Sequence, residues 1–477
     1  MIITIVRLSN YGLMLISPVL LVRLLTVEQF GAYREFLLYA SIAASIAAFN
    51  ININLMYFIP AHPERAWRYV AQSTVLVAVA SLTIIALMVL IDLLLGGTLV
   101  GRFLVPLSIF TLCFVNIDFW EQLWLAQKQT ALVWFYTATR LILRVLVVVV
   151  AAALSADVDT IVWAVVALEA VRLVASAIAW GVMRGDPGPP WEGSWREQVQ
   201  AALPLGISLL LITVTRNAGS FLVTKMMGAA ALAQYTIGTF AAPLIVFRSA
   251  FSDALLPDMA RDPSNTERML QLWRRATVVL IIGFVPLTVL LVRFAEPLVV
   301  TLFSPAYQPA VPVFQIYAVV LLRECFDFGV LVRALNRNQL LVSTNALAAV
   351  LNLGLSLLLI PAFGLVGAIT AMLVARIFDA AYLLWRISVA SGVTMRSILP
   401  WSSTLKVMIA AGVAAPILLG SWWTAHGGAL GALTGMAVAS ILYFAAVILL
   451  LYRSRMPEAL FLAEWLQARI GRRKLLT

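Results

Sequence analysis

Apolar residues run in stretches of about 18–25 along the whole chain, parted by short polar segments. Each stretch is long enough to cross a hydrocarbon core of about 30 Å as a helix. Fourteen are expected, at about 3–25, 36–59, 70–95, 102–126, 131–154, 160–183, 200–224, 229–251, 273–294, 308–332, 339–360, 365–388, 404–423 and 429–452. The period-2 alternation of an outer-membrane barrel is absent, so helices are the spanning option.

The polar segments orient these spans. Loops after spans 2, 4, 6, 8, 10 and 12 carry Arg65 and Arg68, Lys128, Arg184 and Arg196, Arg261 through Arg275, Arg333 and Arg337, and Arg386 and Arg396. Loops after spans 5, 11 and 13 carry no Arg or Lys, and the first of these holds Asp157 and Asp159. The positive-inside rule then puts both termini in the cytoplasm. Arg7 and Arg23 bracket the first apolar run, and no small-residue cleavage site follows it, so it reads as span 1 and not as a signal peptide.

A repeat divides the chain. At an offset of 202, VRLLTVEQFGAYREF (22–36) overlays TKMMGAAALAQYTIG (224–238), matching Arg23 to Lys225 and Tyr33 to Tyr235. Glu64-Arg65 and Trp67-Arg68 are echoed by Glu267-Arg268 and Trp273-Arg274, and Gln127-Lys128-Gln129 by Asn336-Arg337-Asn338. A six-span duplication explains their common order, and an even number of spans relates the halves by an axis along the membrane normal. The expected architecture is an all-α polytopic membrane protein: an N-terminal lobe over 1–183, a Pro/Gly-rich cytoplasmic linker over 184–199 and a C-terminal lobe over 200–388. Spans 13 and 14 (404–452) fall outside the duplication, and 456–477 reads as a basic amphipathic tail on the inner leaflet.

Composition agrees. The chain has 477 residues, 62% hydrophobic and 12% charged, with net charge +11, and its mean hydropathy is +0.98. A soluble domain is roughly 45–50% apolar and about 25% charged, so a soluble enzyme of several domains is excluded. Cys113 and Cys325 lie in apolar runs and read as small buried hydrophobes, while His62 and His426 fall in loops, so no His/Cys metal cluster is expected. There is no phosphate-binding G-x-x-x-x-G-K-[ST] loop, G-x-S-x-G elbow or H-E-x-x-H helix, and no loop is long enough for a catalytic domain. Neither a cofactor nor catalysis is expected.

Charges at membrane depth each require an account. Glu169 and Arg172, Arg323 and Asp327, and Arg376 and Asp379 are spaced three or four apart, which puts opposite charges on one helix face. Across the hairpin of spans 4 and 5, Asp118 should lie level with Arg140, leaving Glu121 and Arg144 without obvious partners. The remainder is mostly positive: Arg7, Arg23, Arg144, Arg216, Lys225 and Arg248. Arg23, Lys225 and Arg248 sit near span ends, where snorkelling would also serve. Arg216 and Arg144 are deeper. Asn50, Asn52 and Asn54 would spread over one polar face of span 2, toward a partner helix or a wet cavity. Surplus arginine makes a cavity of positive potential, and guanidinium forks suit phosphate oxygens, so an anionic cargo is expected.

Residues 18–36, PVLLVRLLTVEQFGAYREF, resemble the opening signature of bacterial polysaccharide flippases of the O-antigen and exopolysaccharide type, with Pro18, Arg23, Phe30, Gly31 and Tyr33 in the family's order. The run NLGLSLLLIPAFGLVGAITA (352–371) resembles the same family's Asn-Leu…Ile-Pro-x-Phe-Gly-x-x-Gly-Ala, and Arg216 and Tyr235 fit its Arg and Tyr in spans 7 and 8. The family belongs to the multidrug/oligosaccharidyl-lipid/polysaccharide exporter superfamily. The resemblance implies fourteen helices in two lobes around a V-shaped cavity, alternating access, and an undecaprenyl-pyrophosphate-linked oligosaccharide as cargo in the bacterial inner membrane. Thr215 stands where an acidic residue often precedes the span 7 arginine.

The residues expected to engage the cargo are Arg216, Arg144, Arg248, Arg23, Lys225, Arg7, Asn50, Asn52 and Asn54, with Glu121 and Asp118 as candidate coupling carboxylates. The partners expected are the polyprenyl-pyrophosphate-linked glycan, membrane lipids, a polysaccharide polymerase and chain-length proteins, without nucleic acid. A multidrug cation exporter, a lipid II flippase and a non-transporting assembly scaffold are the competing readings.

Overall fold

The computed structural model describes residues 16–183, 195–240, 265–335, 339–420 and 428–457, with 255, 259 and 337 besides. Among these there is no strand. Among the described residues eight helices are long and apolar enough to cross a membrane, or nine if a bent pair is one span, and one of them, Gln339–Ser391, covers two of the expected spans in a single 53-residue run. The protein is an all-α, multi-pass membrane protein.

Two compact units divide the chain, Met1–Thr236 and Ile237–Thr477. The division does not coincide with the expected linker, of which 184–194 lie outside the described residues. The first unit holds helices α1 (16–24), α2 (Val27–Ala48), α3 (Leu55–Ala61), α4 (Ala66–Leu94), α5 (Leu104–Val115), α6 (Phe119–Ala126), α7 (Thr130–Ser155), α8 (Val158–Met183) and α9 (Trp195–Met227), and most of α10 (Ala229–Gly238). Contacts with α2 and the following turn bring α9 into this unit.

Helix α2 begins nine residues before the expected start of span 2. Its start is a capping box: the Gln29 N–H donates to Thr26 Oγ1 at 3.2 Å, and the Thr26 N–H donates to Gln29 Oε1 at 2.9 Å. The span then breaks where sequence suggested one continuous polar face. Phe49 (φ 39°) and Asn50 (φ 61°) are left-handed, a short 3-10 turn Ile51–Asn54 follows, and the two arms meet at a 48° bend. Asparagine tolerates this region better than most residues because its short amide bonds locally. Span 4 is also interrupted, at 116–118 between α5 and α6.

Helices α4, α7 and α8 present large apolar residues outward, among them Leu93, Leu94, Leu146, Leu154, Val171 and Val182. In water these would be a liability; in a bilayer they are the solvated face.

In the second unit, α11 (Thr266–Arg293) packs with α17 (Trp401–Ala414) and α18 (Gly428–Arg453) around Val278, Ile281, Val407, Tyr443 and Val447. The Tyr443 hydroxyl donates to the Ala411 carbonyl at 3.3 Å. A second core gathers Met259, Trp273, Phe328, Leu331, Leu383 and Ile387. Between α11 and α15 (Gln339–Ser391) lie α12 (Ala295–Leu302), α13 (Val311–Val320) and α14 (Phe328–Ala334); α16 (Met395–Ile398) precedes α17. Span 10 is thus α13 and α14, joined by the 3-10 turn Leu321–Cys325.

Helix α15 (Gln339–Ser391) turns back on itself at Gly364, with φ 57° and ψ −133°. That backbone is closed to residues with a Cβ. Three residues on, a Cβ at Gly367 would lie 2.0 Å from the Leu359 carbonyl oxygen. The two glycines of the IPAFGLVGA run therefore have distinct duties: one makes the reversal, the other lets the arms touch.

Candidate functional site

The glycine of the other signature plays the second of these parts. A Cβ on Gly31 would lie 1.9 Å from the Ala229 carbonyl oxygen, so α2 meets the start of α10 backbone to backbone. Val27 and Ala229 open their helices at the same 202-residue offset that relates the repeated segments. Tyr33 and Tyr235, matched by that offset, are both buried.

Helix α9 lies along this side of the unit and is held near both ends. Toward its start, Asn54 Nδ2 donates to the Gln198 carbonyl (3.0 Å), Ser73 Oγ to Gln198 Oε1 (2.9 Å) and Gln198 Nε2 to Gln72 Oε1 (2.8 Å), all four residues being buried. Further along, a Cβ on Gly206 would fall 2.6 Å from the Phe49 ring, so the left-handed Phe49 is seated against a residue without a side chain. Toward its end, Lys225 Nζ donates to the Thr98 carbonyl at 2.9 Å and to the Leu99 carbonyl, over the face of Tyr39. The same loop is fixed from below by Asp92, whose Oδ1 accepts from the Leu99 and Val100 N–H groups at 3.0 and 2.8 Å.

These contacts revise several expectations. Lys225 is engaged with loop carbonyls. Asn54 is tied to α9, Asn50 forms the backbone break, and Asn52 is buried with its Oδ1 lacking a partner among the described residues. The three asparagines thus do not form one open polar face. Arg23 is exposed and has contacts of its own. Arg7 and Arg248 lie outside the described residues.

The depth charges sort into two groups. The first is paired. Arg140 lies 3.6 Å from Asp118, as expected, and 3.9 Å from Glu121, so Glu121 has the partner that sequence denied it. Arg172 pairs with the fully buried Glu169 and donates to the Tyr136 hydroxyl at 2.9 Å. Arg323 does not pair with Asp327, nor Arg376 with Asp379. Instead Arg323 reaches Asp379 at 2.6 Å, Asp327 caps α14 through the Gly329 N–H at 3.1 Å, and Arg376 is exposed. Helix-face spacing favours near neighbours, but here a partner on another helix offers the shorter and more buried geometry.

The second group has no carboxylate partner among the described residues: Arg34 on α2, Arg144 on α7 and Arg216 on α9 in the first unit, and Arg376 on α15 in the second. Arg34 and Arg144 are both half-buried and close enough to repel one another, with Tyr33 beside them. The Arg144 guanidinium sits 5.6 Å from the centre of the Phe110 ring, whose other neighbours are Phe36 and Phe114. Arg216 is exposed on α9. Sequence reasoning passed over Arg34, although it stands beside Tyr33 in the signature segment, because span 2 was expected to begin at 36 and left Arg34 in the loop before it. Arg34 and Arg144 act on one another electrostatically, and paired guanidiniums suit an anion with several oxygens.

Outside the spans, Asp157 starts α8 by accepting from both the backbone N–H and the hydroxyl of Thr160 at 3.0 Å, and those bonds hold its carboxyl below the usual range. No group of three or more His, Cys, Asp or Glu that could hold a metal gathers among the described residues. Cys113 and Cys325 are buried free thiols.

Two family models match the sequence. One, described as polysaccharide biosynthesis protein, covers residues 20–312; the other, lipid II flippase MurJ, covers 196–439. No curated protein matches. Among solved structures, lipid II flippase MurJ in an inward closed conformation is similar with a TM-score of 0.71 at 13% identity, covering 94% of this chain and 100% of that one. An inward-facing multidrug resistance MATE transporter of the MOP superfamily gives 0.60 at 16% identity, covering 82% and 99%. A mutant of the Vibrio cholerae MATE transporter VcmN gives 0.55 at 17% identity, covering 83% and 95%. At these identities the likeness is one of fold.

Proposed function

The chain belongs to the polysaccharide biosynthesis protein family, within the superfamily of flippases and transporters that also contains the lipid II flippases and the MATE exporters, and we propose that it flips an undecaprenyl-pyrophosphate-linked oligosaccharide to the outer leaflet of a bacterial inner membrane. Both termini are then cytoplasmic, and transport runs by alternating access without an enzymatic step. The glycan feeds O-antigen or exopolysaccharide assembly, with a polymerase and chain-length proteins as downstream partners.

The observation that most directly supports an anionic cargo is the set of arginines without carboxylates. Arg34 and Arg144 act on one another electrostatically, and Arg216 is exposed on a helix of the same unit. A site for cationic drugs would carry the opposite surplus. In this reading Arg144, Arg34 and Arg216 engage pyrophosphate, Arg23, Arg7 and Arg248 add positive potential, and Asn50 and Asn52 offer hydroxyl contacts. Glu121 and Asp118, bound to one guanidinium, are the candidates for a coupling proton.

Replacing Arg216 with Gln tests the reading. Polymer export should be lost while the protein remains in the membrane; undiminished export overturns the cationic site. Flipping of a labelled polyprenyl-pyrophosphate glycan by the reconstituted protein tests the cargo class. The lipid II reading draws on the second family model and is separated by gene deletion, which is lethal only for that cargo.

A further inference from the structure

Helices α6, α7 and α8 form a trough of about 360 Å³ whose apolar lining has no part in the proposed transport chemistry. Its long wall is one stripe of α7: Leu132, Phe135, Thr139 and Leu143, at helical spacing. Opposite run Ala175, Ala179 and Met183 of α8, and the floor is the indoles of Trp120 and Trp124. Trp120 is locked in place by its Nε1–H, which donates to Ser176 Oγ at 2.6 Å. The surface presented to the trough is almost wholly carbon. Arg140 and Arg172 border its deep end, but both guanidiniums are already committed, one to Asp118 and Glu121 and the other to Glu169 and Tyr136.

Three dimensions limit the occupant. From Leu132 to Leu143 the trough runs about 16 Å along the helix, at about 1.5 Å per residue. That is the hydrocarbon depth of one leaflet, half of about 30 Å. A helix about 10–12 Å across and of that length would fill about 1,300 Å³ or more, above the trough's whole empty space of about 910 Å³. One end opens where α7 begins and α8 ends, at the edge of two spans, so the trough runs along the direction taken by lipid chains.

The mouth is continuous with the lipid-facing surface. Leu132, Phe135, Leu143 and Met183 are exposed, and the same helices continue outward with Ile142, Leu146, Ile178 and Val182. Whatever fills the trough enters from the hydrocarbon. We propose that it binds a single acyl chain of a bilayer phospholipid, held as an integral part of the first unit. The inference rests on the membrane-spanning character of the chain and not on the identity of the cargo.

The test uses the full-length protein in phosphatidylcholine vesicles containing phosphatidylcholine with a diazirine in mid-chain. After irradiation, adducts are mapped by peptide mass spectrometry. Label should concentrate on Thr139 and Ser176, which line the trough. Ala175→Phe and Ala179→Phe each plug it and should abolish those adducts, while label on Leu146 and Val150 of the open lipid face persists and reports an intact fold. Trough adducts no stronger than those on the buried Val162, or unaltered in both plugged variants, overturn the proposal. Displacement of the label by undecaprenyl phosphate but not by unlabelled phospholipid also overturns it, by assigning the trough to a polyprenyl chain.

Discussion

The Arg323 guanidinium contacts the Asp379 carboxylate at 2.6 Å across 56 positions of sequence, joining the turn between α13 and α14 to the second arm of α15. Both side chains are largely withdrawn from the surface, at 13% and 6% exposure. Removing one partner strands the other charge, which costs about 3–5 kcal/mol. Arg323→Leu and Asp379→Leu should each lower the unfolding midpoint in detergent markedly. The double substitution should lose much less than the sum. Strict additivity in that double-mutant cycle would show that the pair contributes nothing as a pair.

Gly31 and Gly283 make opposite predictions from the same substitution. An added methyl at Gly31 meets the Ala229 carbonyl, whereas at Gly283 it meets open space within 4 Å. Gly31→Ala should destabilise by about 1–3 kcal/mol through forced displacement. Gly283→Ala, in the interior of α11, should be neutral or stabilising by about 0.5–1 kcal/mol. Thermal unfolding of the two variants side by side checks the contrast.

The loop between α4 and α5 is held by Asp92 from one side and Lys225 from the other. Lys225→Met should raise amide hydrogen exchange over 95–101 while leaving α7 and α8 unchanged. Asp92→Ala should raise it further, because it removes the acceptor for two backbone N–H groups at once. Wild-type exchange in both variants would mean the loop is held by other contacts.

The Asp157 carboxylate predicts a pH dependence. Its bonds from Thr160 depress its pKa in the folded protein, so its contribution is fully present above the unfolded value of about 3.9 and vanishes as pH falls through the lower folded value. The midpoint gap between wild type and Asp157→Ala should therefore be constant near neutral pH and close below about pH 4. A gap that persists in acid would assign the effect to something other than the ionised carboxylate.

The spans were legible because hydrocarbon imposes a length and a polarity on any segment crossing it. The helix break in span 2 was not: FNININL carries no proline or glycine, and the left-handed Phe49 is accommodated by Gly206, 157 residues later. Partners of buried charges were legible for Glu169–Arg172 and Asp118–Arg140, which are local or fixed by a tight hairpin. They were misread for Arg323 and Asp379, because spacing along one helix says nothing of a third helix that comes closer. Among the arginines, Arg144 and Arg216 stood out from their depth, while Arg34 was hidden inside a motif read for its glycine and tyrosine.

The seam along the early part of α9 is stitched by carboxamides and a hydroxyl: Gln198, Gln72, Ser73 and Asn54. Unlike the guanidinium–carboxylate pairs elsewhere, these groups carry no net charge, so separating them strands no ion in hydrocarbon. Each such bond is worth about 0.5–1.5 kcal/mol against water, and water can take its place. A joint of this kind opens and recloses reversibly, with hydration of four side chains as its only chemical consequence. Parting α9 from its neighbours at this seam therefore costs uncharged hydrogen bonds and leaves no ion behind.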